Sequence, residues 1–213
     1  MTTEQTPLAE QLSNTLSPAL TEGEMAWLWP PLLRLLAHGQ PVTAEELAAT
    51  TGRSSDEVRH ALNALPDAEY DEHERVVGYG LTQRPTQHHF SVNDQQLYTW
   101  CALDTLLFPV LLGRPAEVES PCHATGAPVR LTVEPDGVVG VEPATAVVSL
   151  VTPGQCTSVR SDFCNQVHFF ASPEAAQLWL AEHPAATVLP VAEAATLTGH
   201  LTHQQTFGIH DCC

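Results

Sequence analysis

In the stretch 97–109 (LYTWCALDTLLFP) a thiol, Cys101, and a carboxylate, Asp104, stand where a core helix would carry two more hydrophobes. Residues three or four apart share a helical face, so on this spacing Leu97, Cys101, Asp104, Phe108 and Leu111 form one stripe. A carboxylate taken out of water without a partner is strongly disfavoured as an anion and responds by raising its pKa and keeping its proton. Asp104 is therefore a candidate proton store beside a thiol. The plainer reading stands next to this one: a free Cys is usually inert core, and a lone Asp on a core helix is often tied to a backbone amide or an Arg.

Five further cysteines are Cys122, Cys156, Cys164, Cys212 and Cys213. No two of them form a CxxC pair, so the sequence supports neither a zinc ribbon nor a thioredoxin-type redox motif. Cys122 and its neighbour His123 fall at a strand end, where a buried structural thiol is the commoner outcome than a metal ligand. A short helix over 157–163 delivers Cys164 to the mouth of a strand over 166–170. His168 then completes a C-x3-H spacing, a conceivable zinc half-site, although strand alternation more simply makes it a satisfied, half-buried histidine.

The elements that must hold these groups follow from composition and punctuation. The 213 residues are 43% hydrophobic and 15% charged, enough for one sizeable core or two modest ones. No apolar run approaches the ~20 residues of a membrane span, and the first residues lack the basic and apolar regions of a signal peptide. A cytoplasmic protein with reduced thiols is expected. All eight basic residues are Arg, against 25 acidic ones, and the net charge of −17 argues against nucleic acid as a partner.

In chain order, 8–16 reads as a short helix and 24–37 as a strongly apolar one, either kinked by Pro30 and Pro31 or starting at them, and closed by Gly39. Two short helices follow, N-capped by Thr43 and by Ser54 or Ser55, with Gly52 in the turn between them. From 69 to 92 apolar residues alternate, with a polar turn at 71–75 and bends at Gly78 and Gly80. Helix-turn-helix plus hairpin is a winged-helix arrangement, which in a regulator would enter the major groove. Residues 43–84, however, carry nine acidic residues and four arginines, the wrong charge for DNA, so packing or a lid is the expected role. The Cys101 helix, N-capped by Asn93 or Asp94, ends near Gly113. Four short β-like runs between 116 and 152 suggest an antiparallel sheet, followed by a helix capped by Ser172 with Pro173 in its first turn, a strand TVLPV, and a last helix over 192–205. The expected fold is α+β, with a helical winged-helix-like domain over 1–92 and a mixed helix and antiparallel-sheet domain over 93–213 that ends in a mobile tail.

Taken together, LYTWCALDTLLFPVLLGR, CHATGAPV and SVRSDFCNQVHFFAS resemble the alkylmercury (organomercurial) lyases, and the likeness extends from the helix-turn-helix and the GYGLT hairpin to the final helices. The resemblance implies a winged-helix-like N-terminal part, a mixed C-terminal part, and protonolysis of a carbon–mercury bond to a hydrocarbon and Hg(II), a detoxification reaction. It places the family's catalytic thiols on Cys101 and Cys164 and its catalytic carboxylate on Asp104, so that these three hold the substrate and product mercury. Cys122 matches an additional cysteine that serves the fold. Asn165 stands where some relatives have another cysteine, which removes one extra mercury ligand.

The chemistry fits those residue types. Mercury is a soft cation that thiolates hold far better than carboxylates or imidazoles. A carboxylate of raised pKa can take a thiol proton and pass it to the leaving carbon. No cofactor is implied, since nothing resembles a P-loop or dinucleotide fingerprint; external cellular thiols would release the Hg(II) product. The expected partners are an organomercurial small molecule, those thiols and a mercuric reductase, with no nucleic acid and no membrane. The vicinal Cys212 and Cys213 could pass mercury onward, or be incidental to a frayed end. Two rival classes use the same thiols: a metal-responsive winged-helix regulator, which would need a basic recognition helix, and a thiol metallochaperone, which would need a close cysteine pair on a loop.

Overall fold

Local sequence signals account for the helical N-terminal unit. The structure, a computed structural model, describes residues 24–151 and 158–206. The helix expected over 8–16, Cys156, Thr157, Cys212 and Cys213 lie outside the described residues. Helix α1 (Glu24–Leu36) continues through Pro30 and Pro31 and seats Leu28, Leu32, Leu33 and Leu36 in the core. Helices α2 (Ala44–Thr51) and α3 (Ser55–Asn63) each start on a reciprocal capping box. The Thr43 hydroxyl accepts from the Glu46 N–H at 3.2 Å while the Thr43 N–H donates to the Glu46 carboxylate at 2.8 Å, and Ser54 and Glu57 repeat the exchange at 3.3 and 3.0 Å. Gly52, at φ 71°, turns the chain between the helices.

The strands that follow form one antiparallel sheet of eight: β1 (Glu69–Tyr70), β2 (Val76–Tyr79), β3 (Leu81–Thr82), β4 (His88–Val92), β5 (Gln95–Thr99), β6 (Ala116–Pro121), β7 (Pro128–Glu134) and β8 (Gly137–Glu142), in the order β1-β2-β3-β5-β4-β6-β7-β8. The polar turn over 71–75 is tied by Asp71, whose carboxylate accepts from the Arg75 and His73 amides, both at 2.9 Å.

One expectation fails here. Residues 95–99 are strand β5, not the start of the Cys101 helix, and Asn93 and Asp94 are not helix caps. They sit at φ 51° and 59° as the two central residues of the β4–β5 hairpin, with Val92 opposite Gln95. Asn and Asp tolerate positive φ better than other side-chain-bearing residues, and two successive positive φ values give the twist that suits a two-residue hairpin. The helix, α4 (Ala102–Leu112), starts one residue after Cys101 and ends at Gly113. Leu97 therefore leaves the proposed stripe and packs from the sheet, paired with the equally buried Phe90.

A second sheet has β9 (Val147–Leu150) at its centre, flanked by β10 (Phe169–Phe170) and β11 (Thr187–Pro190). Between β9 and β10 lie helix α5 (Val159–Asp162) and a 3-10 turn, Cys164–Gln166, so the strand expected over 166–170 is confined to its last two residues. Helix α6 (Gln177–Glu182) begins later than Ser172 and Pro173 suggest, because tighter three-residue bonds, Ala176 N–H to Pro173 O and Gln177 N–H to Glu174 O, occupy the preceding turn. Helix α7 (Val191–Thr206) packs along α4. One continuous core of Leu, Val, Phe and Trp side chains runs from α1 to α7. Among the described residues no helix is long and apolar enough to cross a membrane.

Candidate functional site

Cys101 occupies the joint between strand and helix, a place fixed from four directions. The Trp100 N–H donates to Gly80 O at 2.9 Å, the Thr99 hydroxyl to Cys101 O at 2.9 Å, the Ala102 N–H to Val167 O at 3.2 Å, and the Thr105 hydroxyl to Ala102 O at 2.7 Å. Asp104 is the third residue of α4, and its carboxylate accepts the Cys101 N–H at 3.2 Å, as acidic residues in a first helical turn commonly do. The tie to a backbone amide foreseen for a lone Asp is thus present, and a second thiol lies beside it.

That thiol arrives from the other sheet. Cys164 opens the 3-10 turn after α5, with Phe163 buried before it and Val167 after it. The far side of the turn is pinned at β9, where the Ser149 hydroxyl donates to Gln166 O at 3.0 Å and accepts the His168 N–H at 2.8 Å. The Cys164 Sγ reaches the Asp104 Oδ2 at 4.0 Å, and the ligand atoms of Cys101, Asp104 and Cys164 all lie within 4.8 Å of one another. No other group of three metal-capable side chains comes together among the described residues. Both sulfur-bearing residues are almost completely buried, at 0% and 3% exposure, while Asp104 is half-buried.

Burial sets the electrostatics. Desolvation lifts the Asp104 carboxyl to about 6, against the opposing hydrogen bonds from Cys101. It also raises the Cys101 thiol above its ordinary value. The Cys164 thiol is held well above the usual range, first by its hydrogen bond to Cys101 and then by burial, with the Arg160 charge pulling the other way. The resting site thus keeps its thiols protonated beside a carboxylate poised near neutrality. A soft divalent or organometallic cation entering it meets two sulfurs and one oxygen, and each sulfur that binds must release a proton next to an acceptor.

Other candidates fall elsewhere. Cys122 lies just past β6, its Sγ accepting the Ala171 N–H at 3.3 Å; burial opposes ionisation, but hydrogen bonds from Thr125, Ala171 and Ala124 outweigh it and lower the thiol. His168 is absent from the thiol cluster, so the C-x3-H spacing does not converge on a site. Nor is it the satisfied, half-buried residue expected: it is 8% exposed, its Nδ1 has no hydrogen-bond partner among the described residues, and its ring stacks on His123 at 3.9 Å. Rings replace polar partners there because Phe170 and Trp179 close the other sides. Asn165 is exposed.

Sequence reasoning overlooked three neighbours of the site. The Arg160 guanidinium lies over the Trp100 ring at 4.8 Å, and it also ion-pairs with Glu69, which is 6% exposed. Arg160 stands four residues before Cys164, a helical spacing that could have flagged it, and Trp100 directly precedes Cys101. Nothing local in the sequence points to Glu69.

Known proteins share this architecture. Residues 81–203 match the family described as alkylmercury lyase, and 7–80 match the helix-turn-helix domain of alkylmercury lyase. The chain is 64% identical to the alkylmercury lyase of Streptomyces lividans, over 91% of this chain and 92% of that one. It is 57% identical to that of Staphylococcus epidermidis, covering 90% of each, and 46% identical to that of Pseudomonas putida, covering 93% of each. The crystal structure of the mercury-bound form of MerB2 superposes with a TM-score of 0.72 over 95% of this chain and 99% of that one, at 24% identity, a likeness of fold. With a family match over more than half its length and relatives this similar along nearly all of it, the chain belongs to the alkylmercury lyases, a family of enzymes.

Proposed function

We propose that the protein cleaves the carbon–mercury bond of organomercurials by protonolysis, with Cys101 and Cys164 as mercury ligands and Asp104 as the proton carrier. The supporting observation is the convergence of two buried thiols and one carboxylate within 4.8 Å in a chain of this family. For a substrate R–Hg–X, the Cys101 sulfur binds mercury and displaces X while its proton moves to the Asp104 carboxylate. The Cys164 sulfur binds next, and its proton leaves with X as HX. Two sulfur donors raise the electron density on mercury and weaken the Hg–C bond. Asp104 then delivers its proton to the carbon, the Hg–C electron pair forms the new C–H bond, and R–H departs. Hg(II) stays between the two sulfurs. The balance is R–Hg–X plus two thiols giving R–H, HX and a mercury bis-thiolate.

A carboxyl near pH 6 suits a group that must accept and then donate within one turnover. External cellular thiols remove the product by exchange, with a mercuric reductase as their recipient. The Cys212–Cys213 pair, outside the described residues, is proposed as a further carrier. Headspace analysis of methane or benzene after mixing with methylmercury or phenylmercury tests the reading. Hydrocarbon in stoichiometry with mercury is expected, and binding without hydrocarbon would leave a sensor or a metallochaperone.

A further inference from the structure

We propose that Glu69, on the hairpin of the helix-turn-helix unit, is a positioning residue for Cys164: through Arg160 and the α5 helix it holds the second thiol at the distance from Cys101 that bridging one metal atom requires. Three observations carry it. Glu69 is buried, yet its carboxylate reaches two partners, accepting from the Thr82 hydroxyl on β3 and from the Arg160 guanidinium on α5. The backbone makes room for this arrangement, since a methyl group added at Gly78, opposite Glu69 in the β1–β2 ladder, would collide with both the Glu69 carboxylate and the Thr82 hydroxyl. A second tie lies alongside: the Ser158 hydroxyl, which caps α5 by accepting the Ser161 N–H at 3.0 Å, donates to Asp67 Oδ2 at 2.6 Å.

Physical reasoning turns these contacts into a role. Helix α5 has a single turn, too short to be stable alone, so its place must come from outside contacts. Cys164 follows it after one residue, and Arg160 also covers the ring of Trp100, the residue before Cys101. One buried carboxylate therefore references both thiol-bearing segments to the same guanidinium. An ion pair with one buried partner is weak support for stability but a strong geometric constraint once formed, because the buried Glu69 carboxylate is costly without its guanidinium. The strongly acidic helix-turn-helix unit then acts as a bracket for the chemistry and not as a nucleic-acid reader.

The inference rests on the proposed pairing of Cys101 with Cys164, and its test reads that pairing without any cleavage. Phenylarsine oxide forms two As–S bonds with two neighbouring thiols, the two S–H protons leaving with the arsenic-bound oxygen as water and arsenic remaining trivalent. In the full-length chain carrying Cys156→Ser, Cys212→Ser and Cys213→Ser, Glu69→Gln should weaken phenylarsine oxide binding by about tenfold or more, the scale on which small misplacements act. Glu69→Asp, which keeps the charge, should recover part of that loss. Glu119→Gln, which breaks an exposed pair with Arg130 on the far strands, should bind as the parent does. If Glu69→Gln does not fold, Ser158→Ala and Asp67→Asn, which cut only the outer tie, should each weaken binding by about twofold to fivefold. Parental affinity in folded Glu69→Gln, or in the two outer variants where that protein cannot be made, overturns the proposal, as does an equal loss in Glu119→Gln. Weakened arsenical binding in a protein whose parent releases no hydrocarbon would keep the positioning role and discard the lyase mechanism.

Discussion

At the scale of single residues, the three cysteines among the described residues separate by what surrounds them. Cys101 and Cys164 face each other and Asp104, whereas Cys122 uses its sulfur to satisfy a backbone amide. Cys101→Ala and Cys164→Ala should each abolish hydrocarbon release while leaving circular dichroism unchanged. Cys122→Ala should retain turnover per folded molecule but lose about 1 kcal/mol of stability, the scale of a partly buried N–H left without its partner. Denaturant melts beside the activity assay check both. Asp104 carries a pH signature. Its folded pKa of about 6 exceeds the ordinary value of 3.8, so the native state binds the extra proton between those values, and the penalty for the anion is fully present above pH 6 and gone below pH 4. Replacing it with Asn should therefore raise stability at pH 7, by up to about 2–3 kcal/mol, and leave it unchanged near pH 4. Because the proposed mechanism starts from the carboxylate, kcat/KM should fall as pH drops through about 6. An acid limb at the ordinary carboxylate value would contradict the burial argument.

At the scale of elements, most of the helical unit was legible because capping boxes and glycine punctuation are local: the Thr43 and Gly52 signals predict the observed boundaries, and of the two serines offered as the next cap the structure uses Ser54. The start of α4 was not, because helical and strand spacings both bring Leu97 and Cys101 to a buried position. Only the two positive φ values at Asn93 and Asp94 decide for a hairpin. That difference matters chemically: as the residue before the helix, Cys101 presents its amide to Asp104 instead of closing an internal helical bond. Gly80 is the hidden support. It sits at φ 77°, its carbonyl holds the Trp100 N–H, and an added Cβ would meet the Phe108 ring at 2.8 Å. Phe108 cannot easily yield, being wedged edge-on between Trp29 and Phe90. Gly80→Ala should cost about 2–3 kcal/mol and lower turnover in the protein that remains folded, whereas Gly52→Ala, with open space around it, should cost about 1 kcal/mol and spare turnover. Thermal melts paired with the hydrocarbon assay separate the two.

Over the whole molecule, the site is a product of long-range assembly, and this is where sequence reading reaches its end. Cys101 and Cys164 are brought together by packing between two sheets, which no spacing encodes; it was the composite resemblance, not periodicity, that paired them. Glu69 and Arg160 are equally remote in sequence, and His168 looked satisfied because alternation says nothing about the aromatic neighbours that enclose it. Those neighbours give the fold an acid weakness. Burial, then the nearby His168 and His89, depresses His88 to about 3; burial, then His123 and His183, depresses His168 to about 4. Both values lie below the unfolded value of 6.5, so the unfolded chain binds protons that the native state refuses, and stability should decline as pH falls from about 6.5 towards 4, the two histidines together outweighing the opposite contribution of Asp104 over that range. At pH 5 each histidine should contribute about 2 kcal/mol of that loss. Urea melts at pH 7 and pH 5 test this, with His168→Phe expected to flatten the dependence and an unchanged slope telling against it.

The central claim is that one carboxylate carries the proton from sulfur to carbon, and single-turnover cleavage of phenylmercury by Asp104→Asn tests it most directly. Asn keeps the shape and can still accept the Cys101 N–H, so mercury capture by the two thiols should persist while benzene release slows by at least about 10², the lower range for a lost general acid–base. Capture with benzene released at the parental rate would contradict the account and assign the proton to water or to another acid.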